Sequence, residues 1–388
     1  MNENLTPTPG RDVPGRSHSL RGASGRPARR IGAAALGLTL ALTGVACSSS
    51  KKSSTDTGSS GSTTPANQQL ASATLNGDGS SFQLAFQQAG IAGFTALQPK
   101  VTINYQGNGS GAGKKDLGNQ IVQFAGTDSL VKPAEESAMK GGAFLYFPLV
   151  SAPITVSYNE SSIKGLKLSP DTLAGIFSGK IKTWNASQIA ADYPGTTLPS
   201  DAIVFVHRAD ASGTTSNFTK YLTSAAPTAW TLGHGDTITW PDSQAGQGNG
   251  GVAQKISSTP GAIGYVDFSD ATKSKLTFAS IKNKAGEFEA PSLDGAAKAV
   301  AGTTIEPNLT YNALNVAGTG VYPITSGTWM LVYVKQTNHN IGEALKAYID
   351  YLVTTGQKLA TPSNYAPLPT SLAQSAVTQL DKLQIPSS

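Results

Sequence analysis

The 388-residue chain has one cysteine, Cys47, and four histidines. A lone thiol excludes an internal disulfide and an all-cysteine metal site, and so few histidines argue against a structural zinc. Charge is scarce as well. Charged residues make up 14% of the chain, against roughly 25% in an average soluble protein, which argues against long charged helices and coiled coils. No repeat at solenoid periods is visible. Glycine is plentiful instead, at 42 residues, alongside many serines and threonines, and the surface is expected to be rich in hydroxyls and amides. The length allows two domains with ample buried core.

The net charge of +5 suggests a nucleic-acid or membrane partner only if it belongs to the folded part. Residues 1–46 hold six arginines (Arg11, Arg16, Arg21, Arg26, Arg29 and Arg30) and two acids, Glu3 and Asp12, for +4. The remainder carries 23 basic and 22 acidic residues, so neither nucleic acid nor a polybasic membrane patch is implied. The arginines precede an uncharged run, IGAAALGLTLALTGVA at 31–46, shorter than the roughly 20 residues of a membrane span. A basic segment, a short apolar run and small residues at its end predict a signal peptide over 1–46. Cys47 follows directly, and its position resembles the lipidated cysteine of bacterial lipoproteins, although Gly44 stands where leucine is usual. Arg29-Arg30 is a weak match to twin-arginine export. Residues 48–70 lack apolar periodicity and are expected, with Cys47, to form a flexible tether.

From residue 71 onward, short β-branched runs alternate with helical stretches, as in α/β proteins. Strands are predicted at 101–105, 124–127, 154–158, 203–207, 262–266 and 329–334. Helices are predicted to begin near Ser81, Gly111, Ser169, Ser212, Gly250, Leu293, Asn340 and Thr370. Three Gly/Ser-rich turns precede such helices: LNGDGSSF (75–82), YQGNGSGAG (105–113) and HRADASGTTSNF (207–218). Each alone is an ordinary turn or N-cap. Together they suggest an anion site, because helix N-termini point unpaired N–H groups and positive dipole ends at whatever fills the turn.

Rival readings fail on the residues. A nucleotide P-loop around Gly113-Lys114 needs glycine at Asn108 and a hydroxyl at Lys115. A nucleophile elbow needs glycines flanking its serine at two positions, but Ser110 has Asn108 and Ala112, and Ser212 has Asp210 and Thr214. His207 falls in an apolar strand pattern and reads as a packing residue.

YQGNGSGAG, FAGTDSL, HRADASGTT, GQGNGGVAQKI, PGAIGYVDF and YPITSGTWMLV occur in that order, with GKIKTWN at 179–185. This set resembles the phosphate-binding proteins of the Pst ABC transporter, over essentially all of 73–385. The resemblance implies a type II periplasmic-binding-protein fold: two α/β lobes around a cleft, joined by two crossing segments. From the pattern, lobe one comprises 71–152 with 320–388, and lobe two 153–319. The implied ligand contacts are Ser81, Phe82, Ser110, Asp128, Arg208, Ser212, Gly213 and Thr214, with Asp210 supporting the arginine. Ser81 replaces the commoner threonine, and Ala211 replaces a glycine, which leaves the loop geometry open.

These residue types suit the chemistry. Arg208 offers a permanently charged fork of donors for two oxygens. Asp128 makes sense beside an anion only if that anion carries a proton to donate, as hydrogen phosphate does and sulfate does not; sulfate would leave the acceptor unpaired and add like-charge repulsion. The resemblance thus implies a monomeric, lipid-anchored receptor that closes on phosphate and delivers it to the permease's transmembrane subunits, with no cofactor, metal or enzymatic activity. The alternatives are a secreted phosphomonoesterase holding phosphate as product, a receptor for another protonated oxyanion such as arsenate, and an adhesion protein that keeps the fold. The esterase needs a nucleophile with a base, or a metal pair, and only His207, His234 and His339 lie beyond the leader.

Overall fold

The computed structural model describes residues 69–388. The expected signal peptide over 1–46, Cys47 and the tether up to residue 68 lie outside the described residues. Gln69 and Leu70, assigned to the tether from sequence, are tied to the main body: Gln69 Nε2 donates to Leu97 O at 3.0 Å, and Leu70 N to Gln98 Oε1 at 2.9 Å.

The chain begins with β1 (Ala73–Gly79), α1 (Leu84–Leu97), β2 (Val101–Gln106), α2 (Ser110–Gly118), β3 (Phe124–Thr127), the one-turn α3 (Pro133–Glu136) and the long β4 (Phe144–Asn159). Next come β5 (Lys167–Leu168), α4 (Pro170–Phe177), α5 (Ser187–Asp192), β6 (Val204–Arg208), α6 (Gly213–Ala225), β7 (Gln244–Gly246), α7 (Gly248–Ser258), β8 (Ala262–Asp267) and α8 (Phe268–Lys273). The short strands β9 (Thr277–Phe278), β10 (Ser280–Lys282) and β11 (Phe288–Glu289) lead to α9 (Leu293–Ala301). The chain then returns through β12 (Thr325–Tyr333), α10 (His339–Val353) and α11 (Thr370–Gln379).

The main sheet has the order β2-β1-β3-β12-β4-β8-β6-β7, with β9 beside β4. It divides into two halves, one per lobe, and β4 belongs to both. Its Phe144–Pro153 part pairs antiparallel with β12, and Ile154–Asn159 pairs antiparallel with β8. Only the second part was expected as a strand. Buried on both faces, β4 is a nearly continuous apolar run rather than an alternating one, and Pro148 and Pro153 weaken its strand signal further. The register shifts between Thr328, opposite Val150, and Trp329, opposite Pro148, leaving Leu149 as the extra residue on β4.

Within each half, parallel strands are joined through helices: β1 and β2 through α1, β6 and β7 through α6. Local sequence sets where those helices start. Ser169, Ser212, Ser292 and Asn338 each accept a backbone N–H at their helix N-terminus, and Pro170 opens α4. Phe177 anchors the core of the second half, with Phe205, Phe218, Trp240 and Tyr265 around it at centroid distances of 4.8–6.4 Å. Val206, Val252, Ala253, Ile256, Ala262, Val266 and Ala271 form a smaller cluster around α7.

One expectation needs correcting. LNGDGSSF is not a turn throughout: Leu75–Gly79 completes β1, and α1 starts at Leu84, three residues after Ser81. A strand with two glycines survives because Gly77 and Gly79 sit where Phe124 and Gly126 of β3 approach too closely for any Cβ.

Candidate anion-binding site

The carboxyl ends of β1, β2, β3, β6 and β7 run into Ser80–Phe82, Gly109-Ser110, Asp128, Arg208 and Gly248-Asn249 in turn. In open α/β sheets this edge is where ligands bind. Every residue expected at the site lies along it. Ser81, Phe82, Ser110, Asp128, Arg208, Ser212, Gly213 and Thr214 are all buried, and Asp210 is half-buried.

Arg208 ends β6, where the two-residue strand period turns it to the opposite face from His207. Its Nε donates to Asp210 Oδ1 at 2.9 Å, its Nη2 also bonds to Asp210, and its Nη1 donates to Thr214 Oγ1 at 3.3 Å. Asp210 accepts a further bond from Gly248 N at 3.0 Å. The guanidinium is therefore fixed before any ligand arrives. His207 instead stacks on Trp240 at 5.3 Å, with Nδ1 against Arg208 O at 2.8 Å, and burial lowers its pKa.

Ser212 is the N-cap of α6: its Oγ accepts from Thr215 N at 3.1 Å, and its own N–H donates to Asp236 O at 2.9 Å. Gly213 and Thr214 fill the first two helical positions, whose N–H groups have no intrahelical acceptor. A side chain at Gly213 would collide with Ser110 and Asp128, so glycine lets α6 press against the other half of the sheet. Ala211 takes the place of the usual glycine without needing a positive φ, and its carbonyl accepts Gly111 N at 3.0 Å.

Asp128 follows β3. Ser80 Oγ lies 2.7 Å from both carboxylate oxygens, and Thr328 Oγ1 donates to Oδ1 at 2.7 Å. Ser110 Oγ accepts Asp128 N at 3.2 Å. Burial pushes the Asp128 pKa from 3.8 up to about 6, with the Ser80 and Thr328 hydroxyls and then Arg208 opposing the rise. Ser110 Oγ also lies 3.5 Å from Oδ2, so the group is a buried acceptor surrounded by hydroxyls.

Four contributors escaped the sequence reading. Ser80 and Thr328 hold Asp128, and Gln83 holds Thr328 through an Nε2–Oγ1 bond of 2.7 Å. Asn249, in the first turn of α7, reaches both Ser81 and Thr214 at 3.1 Å. Ser80 adjoins Ser81, and Asn249 lies inside the GQGNGGVAQKI segment. Thr328 lies inside the YPITSGTWMLV segment, but its partner Asp128 is 200 positions away and no local pattern links the two.

Two α/β lobes on a shared sheet, with the site on the carboxyl edge of both halves, have the type II periplasmic-binding-protein fold. Residues 61–355 match the family described as a PBP superfamily domain. The chain is 34% identical over 316 residues to the phosphate-binding protein PstS of Pasteurella multocida, covering 79% of this chain and 89% of that one. It belongs to the PstS family of phosphate-binding proteins. Among solved structures, a high affinity periplasmic phosphate-binding protein (PfluDING), bound with phosphate at pH 8.5, superposes with a TM-score of 0.66 at 22% identity. That match covers 79% of this chain and 94% of the other. A putative phosphate ABC transporter substrate-binding protein from Clostridium perfringens, with bound phosphate, gives 0.57 at 18% identity, covering 76% and 100%.

Proposed function

We propose that the protein binds inorganic phosphate outside the cytoplasm and hands it to the transmembrane subunits of an ABC permease. The observation that carries this reading is the placement of a buried, acceptor-only carboxylate, Asp128, among Arg208, hydroxyls and helix N-termini. Donors of that kind suit any oxyanion. The carboxylate adds a demand for a ligand that still carries a proton, which hydrogen phosphate meets and sulfate does not. Arsenate shares that protonation and belongs in the same test.

Ser81, Phe82, Ser110, Arg208, Ser212, Gly213 and Thr214 would supply donors to the phosphate oxygens, Asp128 would accept the phosphate proton, and Asp210 would orient Arg208. Lobe one is 71–152 with 320–388, and lobe two is 153–319. Site residues come from both, so closing the lobes completes the ligand shell, and the closed form is the one that docks on the permease. Residues 1–46 serve export, Cys47 carries the lipid anchor, and the mature protein acts as a monomer without catalysis. The family membership and the phosphate-bound relatives support this reading over a phosphomonoesterase.

Calorimetric titration of the 71–388 fragment with phosphate, sulfate and arsenate tests it. Tight phosphate binding with sulfate weaker by several orders of magnitude is expected. Equal affinity for sulfate, or no heat with phosphate, overturns it.

A further inference from the structure

Asn249 lies at the second position of α7, fully buried, at the meeting point of the two halves of the sheet. Both of its amide donors are used. Nδ2 donates to Ser81 Oγ and to Thr214 Oγ1, both at 3.1 Å, and Oδ1 accepts Asp267 N at 3.3 Å. That last bond fixes which end of the amide faces the hydroxyls.

The two hydroxyls are then equally constrained. Ser81 Oγ accepts from Asn249 N at 3.1 Å as well as from Nδ2, and Thr214 Oγ1 accepts from Arg208 Nη1 at 3.3 Å as well as from Nδ2. A hydroxyl has two acceptor lone pairs and one proton. With both lone pairs engaged, each oxygen has only its proton left to offer. We infer that Asn249 is a positioning residue for the anion: by occupying the acceptor sites of Ser81 and Thr214, it obliges both hydroxyls to act as donors toward the ligand. Without it, either hydroxyl can rotate and present a lone pair, which repels an oxyanion. The polarity of two ligand contacts is thus set by a residue that need not touch the ligand. This inference rests on the phosphate-binding reading.

A mutant cycle separates this role from a structural one. Phosphate affinity is measured by equilibrium dialysis with radiolabelled phosphate for the wild type, Asn249→Ala, Ser81→Ala/Thr214→Val, and the triple variant. Asn249→Ala is expected to weaken binding about tenfold in the wild-type background, the scale of losing modest hydrogen-bond alignment. In the background without the two hydroxyls, the same change is expected to alter affinity by less than about twofold, because nothing remains to orient. Denaturant unfolding without phosphate accompanies each measurement. If Asn249→Ala does not fold, Asn249→Ser takes its place, since a short hydroxyl cannot span both oxygens. An equal loss in both backgrounds overturns the assignment and makes Asn249 a general support of the fold. A wild type that binds no phosphate overturns the functional reading instead, so the two failures are told apart.

Discussion

Lys114 Nζ lies 2.9 Å from Asp236 Oδ2, joining α2 in one half of the molecule to the loop after α6 in the other. The same ammonium is 2.9 Å from Glu135 Oε2. The lysine side chain is 3% exposed and that of Asp236 9%, so this is a buried ion pair. Asp236 also accepts the Ser212 N–H through its carbonyl, which ties the pair to the start of α6. Removing one partner of a buried pair strands the other. Lys114→Met is therefore expected to cost about 3–5 kcal/mol of stability, and Glu135→Gln much less because Glu135 is 35% exposed. Urea unfolding of both variants checks this; a loss below about 1 kcal/mol for Lys114→Met would show that the pair contributes little.

Asp128→Asn keeps the shape of the side chain and removes its charge. The phosphate-to-sulfate affinity ratio is expected to fall by at least about tenfold, chiefly because sulfate is no longer repelled. Titration with both anions decides it. An unchanged ratio assigns the discrimination to another group.

The same substitution makes a prediction about pH. The folded-state pKa of Asp128, about 6, lies above the ordinary 3.8, so the folded protein holds this proton more tightly than the unfolded chain does. The stability that comes from this linkage is fully present below about pH 3.8 and is lost as pH rises through about 6. A shift of about two pH units corresponds to about 3 kcal/mol. Asn does not titrate. The unliganded Asp128→Asn variant should therefore gain stability relative to wild type between pH 4 and 7, by up to about that amount, as read from denaturant midpoints across the range. A difference that stays flat with pH would falsify the assignment.

Arg208→Lys preserves the charge but not the fork. One ammonium cannot span both Asp210 oxygens and Thr214 while facing a ligand. Losing charge-assisted bonds worth about 3 kcal/mol in total predicts at least about a hundredfold weaker phosphate binding. Calorimetry on the variant should show it, and retention within tenfold would mean that Arg208 does not grip the anion directly.

Gly213→Ala reverses an ordinary expectation. Alanine is the better helix former, yet here its Cβ would fall 2.8 Å from Asp128 Cβ and collide with Ser110 Oγ. The variant is expected to be less stable by at least about 1 kcal/mol and to bind phosphate more weakly, since α6 must back away from Asp128. Thermal unfolding with and without phosphate measures both.

Much of the candidate site is legible because its arginine and hydroxyls sit beside strong local signals. A strand ending in His207-Arg208, followed by Asp210 and the cap Ser212, announces its geometry within seven residues; a capped helix start needs nothing from the rest of the chain. The helix beginnings expected near Ser169, Ser212, Leu293 and Asn340 lie within one residue of the observed starts for the same reason. The first half of β4 was not legible, because burial on both faces removes the alternation that marks a strand.

The sequence by itself determined the family, the side-chain-capped helix starts, the arginine fork and the odd carboxylate, since each is written in short contiguous stretches. The tertiary structure alone decided who surrounds them. Thr328 reaches Asp128 across 200 positions, Asn249 reaches Ser81 across 168, and Lys114 meets Asp236 from the opposite half of the sheet. No local propensity encodes such pairs. They arise when two sheet halves sharing β4 bring distant loop ends to one edge, where burial makes an unpaired polar group costly and so favours such pairing.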